Sequence, residues 1–110
     1  MKITIKKFGG DVPTEIGAFA DFYGLEMVVR ERDAGFCTGS RFYAEFMGAE
    51  VMERGFLVSC YGDGSSPNEA IAAYAKELAG KRVAIDPMRP QRRNIDVPND
   101  LHYDIKRTAA

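Results

Sequence analysis

Excess charge of either sign is the first thing this chain lacks. Its 15 Lys and Arg stand against 16 Asp and Glu, a formal net charge of -1. A DNA mimic would be strongly acidic and a general nucleic-acid binder strongly basic, so a charged partner must be met by a local patch. Thiols and imidazoles are also scarce. Cys37 and Cys60 are the only cysteines and have no metal-site spacing, so free thiols in a reducing compartment are expected. His102 is the only histidine, and a Ser–His or Cys–His catalytic pair would depend on that one residue beside a polar C-terminus. No apolar run approaches the ~18 residues of a membrane span. The start, MKITIKKFGG, alternates where a signal peptide would be continuously apolar. No internal repeat and no low-complexity tract is visible. The expectation is a cytoplasmic protein with no cofactor, no metal, and no membrane or DNA partner.

What is present is the composition of one soluble globular domain: 110 residues, 45% hydrophobic and 28% charged. The most structured stretch is residues 61–71, YGDGSSPNEAI. Ser66 followed three residues later by Glu69 is a capping box, and Pro67 falls at the first helical position, where a missing N–H costs nothing. The stretch therefore starts a helix. The glycines do not make a nucleotide loop, because no Gly-x4-Gly-Lys-Ser/Thr spacing occurs and Pro67 stands where a third glycine of G-x-G-x-x-G would be expected. A helix N-terminus still offers free N–H groups to an anion.

Around this start the periodicities alternate. Residues 2–7, KITIKK, read as a half-buried strand with Ile3 and Ile5 on one side. From Thr14, the spacing of Ile16, Phe19, Ala20 and Tyr23 predicts a short helix, with Gly24 as its stop. Residues 25–32 form a strand with Leu25, Met27 and Val29 on one side. Residues 34–40, AGFCTGS, form a loop. In the strand RFYAEFM, Phe42, Ala44 and Phe46 face one way, Tyr43 and Glu45 the other. Apolar residues flank the turn Glu53-Arg54-Gly55, so residues 41–61 are expected as an antiparallel meander. The capped helix runs from Pro67 to about Ala79, burying Ala70, Ile71, Tyr74, Ala75 and Leu78, with Gly80 as terminator. Residues 81–86 and 94–97 add short strands. The expected fold is α+β: one antiparallel sheet of about four to five strands with one long and one short helix. Residues 1–98 form the domain and residues 99–110 a polar tail that frays or orders on a neighbouring subunit. The sheet face left uncovered by the long helix, carrying Tyr43 and Tyr61, is an expected self-association surface.

The carboxylates Glu15, Asp21, Glu26, Glu31 and Asp33 are scattered over element ends, the usual place of solvated acids, and form no catalytic cluster. Asp63 has no second acid at the spacing of a calcium loop. The arginines are more informative. Arg92 and Arg93 follow Pro90, Arg41 opens a strand, and guanidinium forks suit bidentate phosphate recognition. Each also reads as an ordinary surface arginine. If Arg41, Ser65, Ser66 and Arg92 or Arg93 converge, they make a site for a phosphorylated small ligand, with Phe36 or Phe42 stacking on its base.

The succession FYAEF, YGDGSSPNEAI, a helix-to-strand unit ending YAKELAGKRVAID, and RRNIDVP resembles a family of small phage-encoded proteins, the Thoeris anti-defence 1 signal-sponge family. The resemblance covers residues 41–98. It implies a non-enzymatic homo-oligomer in the host cytoplasm that encloses cyclic ADP-ribose-type signals, or cyclic oligonucleotides, and so withholds them from an immune effector. Carried over by position, Arg41 and Arg93, or Arg92 in a register one residue away, would contact phosphates. The family is also associated with an aromatic at the helix start and an amide within the helix. Here Ser65 or Ser66 and Ala75 or Lys76 occupy those neighbourhoods and Asn68 is the only amide, which leaves a different signal nucleotide open. Three other classes compete with this reading. An anti-CRISPR-like inhibitor would block a host effector with the open sheet face. An enzyme cleaving the signal would need a general base, and the candidates are scattered. An RNA-binding module of α-β-β-β-α type would need cations on its closing helix, where only Lys76 is found.

Overall fold

A computed structural model describes residues 12–32 and 41–104. The expected first strand at residues 2–7, the loop at residues 34–40 with Phe36 and Cys37, Asp33, and residues 105–110 lie outside the described residues. In chain order the elements are α1 (Ile16–Tyr23), β1 (Met27–Glu31), β2 (Phe42–Phe46), β3 (Ala49–Glu53), β4 (Phe56–Val58), β5 (Gly62–Gly64), α2 (Pro67–Leu78), β6 (Arg82–Ile85) and β7 (Arg93–Asp96).

The class is α+β, as the alternating periodicities predict, but the single sheet is replaced by two antiparallel sheets with seven strands among the described residues. One has the order β1-β2-β5, the other β4-β3-β6-β7. The expected meander over residues 41–61 therefore breaks after β2. Its β3–β4 part forms as read, with Glu53 opposite Phe56 across Arg54-Gly55. Both turn residues have positive φ, 50° and 83°, the conformation that matches a two-residue hairpin to the twist of its strands. β2 and β3, however, do not pair. Between them Gly48 takes φ 74° and its carbonyl accepts from the Asp86 amide at 2.8 Å, so the chain turns out of the first sheet and β3 pairs with β6. That partner lies beyond the long helix, where local pattern gives no sign of it.

Both sheets close on one core. Ile16 and Phe19 of α1, Ala44 and Phe46 of β2, Val51 of β3, Tyr74 and Leu78 of α2, and Val83 and Ile95 of β6 and β7 are all buried in it. Phe46 meets Phe19 and Tyr74 at ring-centroid distances of 6.2 and 5.4 Å, an aromatic stack that joins both helices to the first sheet. The expected faces of α2 and β2 are the buried ones. With the β3–β4 excursion set aside, α1-β1-β2-β5-α2 has the α-β-β-β-α order weighed above.

The expected boundary at residue 98 also moves. Leu101 is buried in the core, the His102 amide donates to the Thr14 carbonyl at 2.9 Å, and the Ile16 amide donates to the His102 carbonyl at 2.7 Å. The Tyr103 hydroxyl donates to Asn68 Oδ1 at 3.0 Å. Residues 99–104 thus belong to the domain: one leucine and a parallel backbone bridge tie down a segment whose composition is polar. Among the described residues, no helix is long and apolar enough to cross a membrane.

Candidate functional site

The α2 start is built as its sequence dictates, with one difference of detail. Ser66 is the N-cap, its Oγ accepting from the Glu69 amide at 3.2 Å. Glu69 reaches back one residue further than a simple capping box: Oε2 accepts from the Ser65 amide at 2.9 Å and from the Ser65 hydroxyl. These two bonds from Ser65, hydroxyl first and amide second, hold the Glu69 carboxyl below the usual carboxylate range. An internal carboxylate therefore already sits at the helix mouth. An anionic ligand there must replace Glu69 or bind beside it.

The glycines of YGDGSS serve packing. A methyl group on Gly62 would lie 2.1 Å from the Tyr74 nitrogen and 2.4 Å from the Ala70 carbonyl oxygen; on Gly64 it would lie 2.4 Å from the Ala70 nitrogen. Without Cβ atoms, β5 lies directly on the α2 backbone. This places the helix mouth at one end of the first sheet.

Arg41 is at that same end. Phe42 pairs with Gly64 in the β2–β5 ladder, so Arg41 and Ser65 are the next antiparallel positions beyond it. The Arg41 side chain is 61% exposed and its Nη2 lies 2.5 Å from Glu31 Oε2. Arg41, Ser65 and Ser66 therefore lie at the same end of the first sheet, with the Arg41 guanidinium directed to Glu31 of β1. Arg92 and Arg93 lie elsewhere: Arg93 opens β7 in the other sheet and Arg92 directly precedes it. Arg93 Nη1 donates to the Tyr23 carbonyl at 2.8 Å, placing a cation on the carbonyl end of α1, where the helix dipole favours it. Arg92 Nε donates to Asn94 Oδ1 at 3.3 Å and Nη2 approaches Met52 Sδ at 3.9 Å. Arg93 shares a row with Ile85 and Ala49, just past the Phe46 end of β2, whereas Arg41 precedes its Phe42 end. At ~3.3 Å per residue, the length of β2 alone separates those ends by roughly 13 Å. The five expected residues thus divide into two groups within one chain.

Of the two expected aromatics, Phe36 lies outside the described residues. Phe42 is half-buried on the inner face, packed against the core, with the Arg41 guanidinium 5.9 Å from its ring centroid; the open face carries Tyr43 and Tyr61. Their rings meet edge to face at 5.7 Å. The Arg32 guanidinium lies 4.6 Å from the Tyr43 centroid and 5.7 Å from that of Tyr61, and its Nη2 is 2.6 Å from Asp63 Oδ1. Arg30 pairs with Glu45 at 2.7 Å on the same face. Arg30 and Arg32 alternate in the sequence as outward strand residues should; nothing local in it sets Arg32 beside Tyr61, because that follows from strand order. Elsewhere, His102 is exposed, and its Nδ1 is 3.2 Å from the Asp100 carbonyl oxygen. Cys60 is half-buried, and burial pushes its thiol above the usual range. Among the described residues, no three His, Cys, Asp or Glu side chains gather as a metal-ligand set.

No family model matches this chain, and no curated protein and no solved structure matches it.

Proposed function

We propose that the protein binds and sequesters, without chemical turnover, a small phosphorylated signal nucleotide of the cyclic ADP-ribose type or a cyclic oligonucleotide. This is the activity that the resemblance to phage anti-defence sponges implies. The observation that supports it is the placement of Arg41 across from Ser65 at the mouth of α2. The Arg41–Glu31 pair is exposed on both sides, and such pairs contribute only ~0–1 kcal/mol. A phosphate can therefore take over the guanidinium at little cost. Tyr61, 45% exposed beside Tyr43, supplies a ring face for a base. Arg92 and Arg93 enter the site in this reading only from a neighbouring subunit, so it requires a homo-oligomer. The test is native mass spectrometry and calorimetry with cyclic ADP-ribose isomers and cyclic dinucleotides. Binding is expected, with the ligand recovered unchanged after heat denaturation. Arg41→Ala should weaken binding by about tenfold or more, the value of one charge-assisted hydrogen bond. Turnover of the ligand, or no nucleotide bound, refutes the reading.

A second reading, an anti-CRISPR-like inhibitor that docks on a host effector protein, is favoured by different residues. Phe56, 73% exposed on the β3–β4 hairpin, and the Arg32–Tyr43–Tyr61 cluster belong to the residue types that dominate protein interfaces. A stoichiometric host partner that survives Arg41→Ala and Arg93→Ala but is lost with Phe56→Ala or Tyr61→Ala would establish it over the first.

A further inference from the structure

The turn that carries the chain from the first sheet into the second leaves a groove of about 390 Å³ on the surface. Phe46, Ala49 and Pro87 contribute apolar lining, and Glu45, Glu50 and Asp86 contribute carboxylates. The groove is held in shape from both sides. The bond from the Asp86 amide to the Gly48 carbonyl ties its walls together at 2.8 Å, and a Cβ on Gly48 would lie 2.5 Å from Asp86 Oδ1, so that carboxylate rests over the glycine. Asp86 itself has φ 50°. Residues other than glycine seldom take that left-handed conformation, and the following Pro87 restricts it further, so the surrounding contacts fix Asp86 against its local preference. Beside it, Met88 is 92% exposed, so no part of the chain covers it, and Met47 on the connecting turn is 55% exposed. Solvent-facing methionines next to a groove with apolar lining mark an interaction surface.

We propose that this groove docks a segment of another protein that presents a lysine or arginine beside an aliphatic residue. Charge selects the occupant. Against the carboxylates, only Arg89 among the lining residues is a cation, although the chain as a whole is nearly neutral. Glu45 already has Arg30 at 2.7 Å. Among the described residues, Glu50 and Asp86 have no ion pair, and both are half-buried. Carboxylates that have lost part of their hydration without gaining a counterion favour an incoming cation and disfavour an anion. The apolar lining decides the rest. A long basic side chain lays its methylenes along Pro87 and Met88 while its charged head reaches Glu50 and Asp86, and the flexible thioethers of Met47 and Met88 adapt to an aliphatic neighbour. An anionic nucleotide has no place here, so the groove is a surface separate from the mouth of α2.

NMR titration of the full chain tests this with two synthetic probes, acetyl-Leu-Lys-Leu-Lys-Leu-amide and acetyl-Leu-Glu-Leu-Glu-Leu-amide. The lysine peptide should shift the Met47 and Met88 methyl signals and the Gly48, Glu50 and Asp86 amides, with a Kd of about 1 mM or tighter. The glutamate peptide should bind about tenfold or more weakly. Glu50→Gln combined with Asp86→Asn should weaken the lysine peptide by about tenfold, the value of a charge-assisted contact; asparagine also accepts the left-handed backbone, so the turn is kept. Absence of these shifts, equal affinity for the two peptides, or undiminished binding by the double variant overturns the proposal. So does n-butylamine giving the same shifts at the same concentration, because the groove then takes any ammonium group and no segment. Should the double variant fail to fold, Met88→Ala, at a solvent-facing position, decides with the same two peptides: unchanged affinity for the lysine peptide overturns the proposal. Failure here leaves the nucleotide reading untouched, because Arg41, Ser65 and Ser66 take no part in it.

Discussion

The backbone amide of Phe46 donates to the phenolic oxygen of Tyr74 at 3.1 Å, inside the core. The bond replaces a missing strand. β5 begins at Gly62, opposite Ala44, so the Phe46 position has no ladder partner on that side, and the α2 tyrosine supplies the acceptor. Burial holds the phenol well above the ordinary tyrosine range, so it stays protonated.

Tyr74→Phe should therefore cost more than a surface hydroxyl. The ring still packs, but the Phe46 amide is left buried without an acceptor, a loss of about 1–3 kcal/mol. Urea unfolding of the two proteins measures it. A change below about 0.5 kcal/mol would show that water or a shifted strand replaces the phenol.

Gly62→Ala should be among the most damaging small substitutions in the chain. Its methyl group would meet α2 backbone atoms at 2.1 and 2.4 Å, and backbone cannot rotate away as a side chain can. The expected loss is about 3 kcal/mol, from forcing α2 off β5. Thermal unfolding checks this; an unaffected midpoint would mean that the helix slides freely over the strand.

The α2 cap should weaken in acid. Glu69 is held below its ordinary range by Ser65, so its contribution is complete above the unfolded value of about 4.3 and is lost as pH falls through the lower folded value. Glu69→Gln keeps an acceptor and removes the titration. Stability measured from pH 6 to pH 2 should thus fall less steeply in the variant. Parallel curves would separate Glu69 from the acid sensitivity.

Cys60 should be a slow thiol. Burial raises it above its usual range, against an opposing influence of Lys81, which lowers the reactive thiolate fraction at neutral pH. In a Cys37→Ser background, alkylation by iodoacetamide should be slower than that of a free cysteine. The two rates should converge once the protein is unfolded in urea.

Local chemistry in the sequence was a good guide within elements and a poor one between them. Ser66, Pro67 and Glu69 marked the start of α2; Ile16, Phe19 and Ala20 marked the buried side of α1; and Phe42, Ala44 and Phe46 marked the inner face of β2. Each of those signals acts over a few residues. The division into two sheets had no such signal, because it rests on Gly48 turning the chain and on β6 accepting β3 from across the helix. Leu101 shows the same limit, since one apolar residue in a polar run does not reveal that a core receives it. For the candidate site, the pairing of β2 with β5 brings Arg41 to the helix mouth but carries Arg93 to the end of α1.

The sequence by itself determined both helices, the strands with an apolar pattern and the buried side of each, and how α2 begins, because caps, turns and periodicity act between close neighbours in the chain; it gave no sign of β5, whose Gly62-Asp63-Gly64 carries no strand pattern. Tertiary structure alone decided strand order, the gathering of Arg32, Tyr43 and Tyr61, and the separation of Arg41 from Arg93. Those depend on hydrogen-bond registers and core contacts between segments tens of residues apart, whose free energy exists only once the whole core has closed.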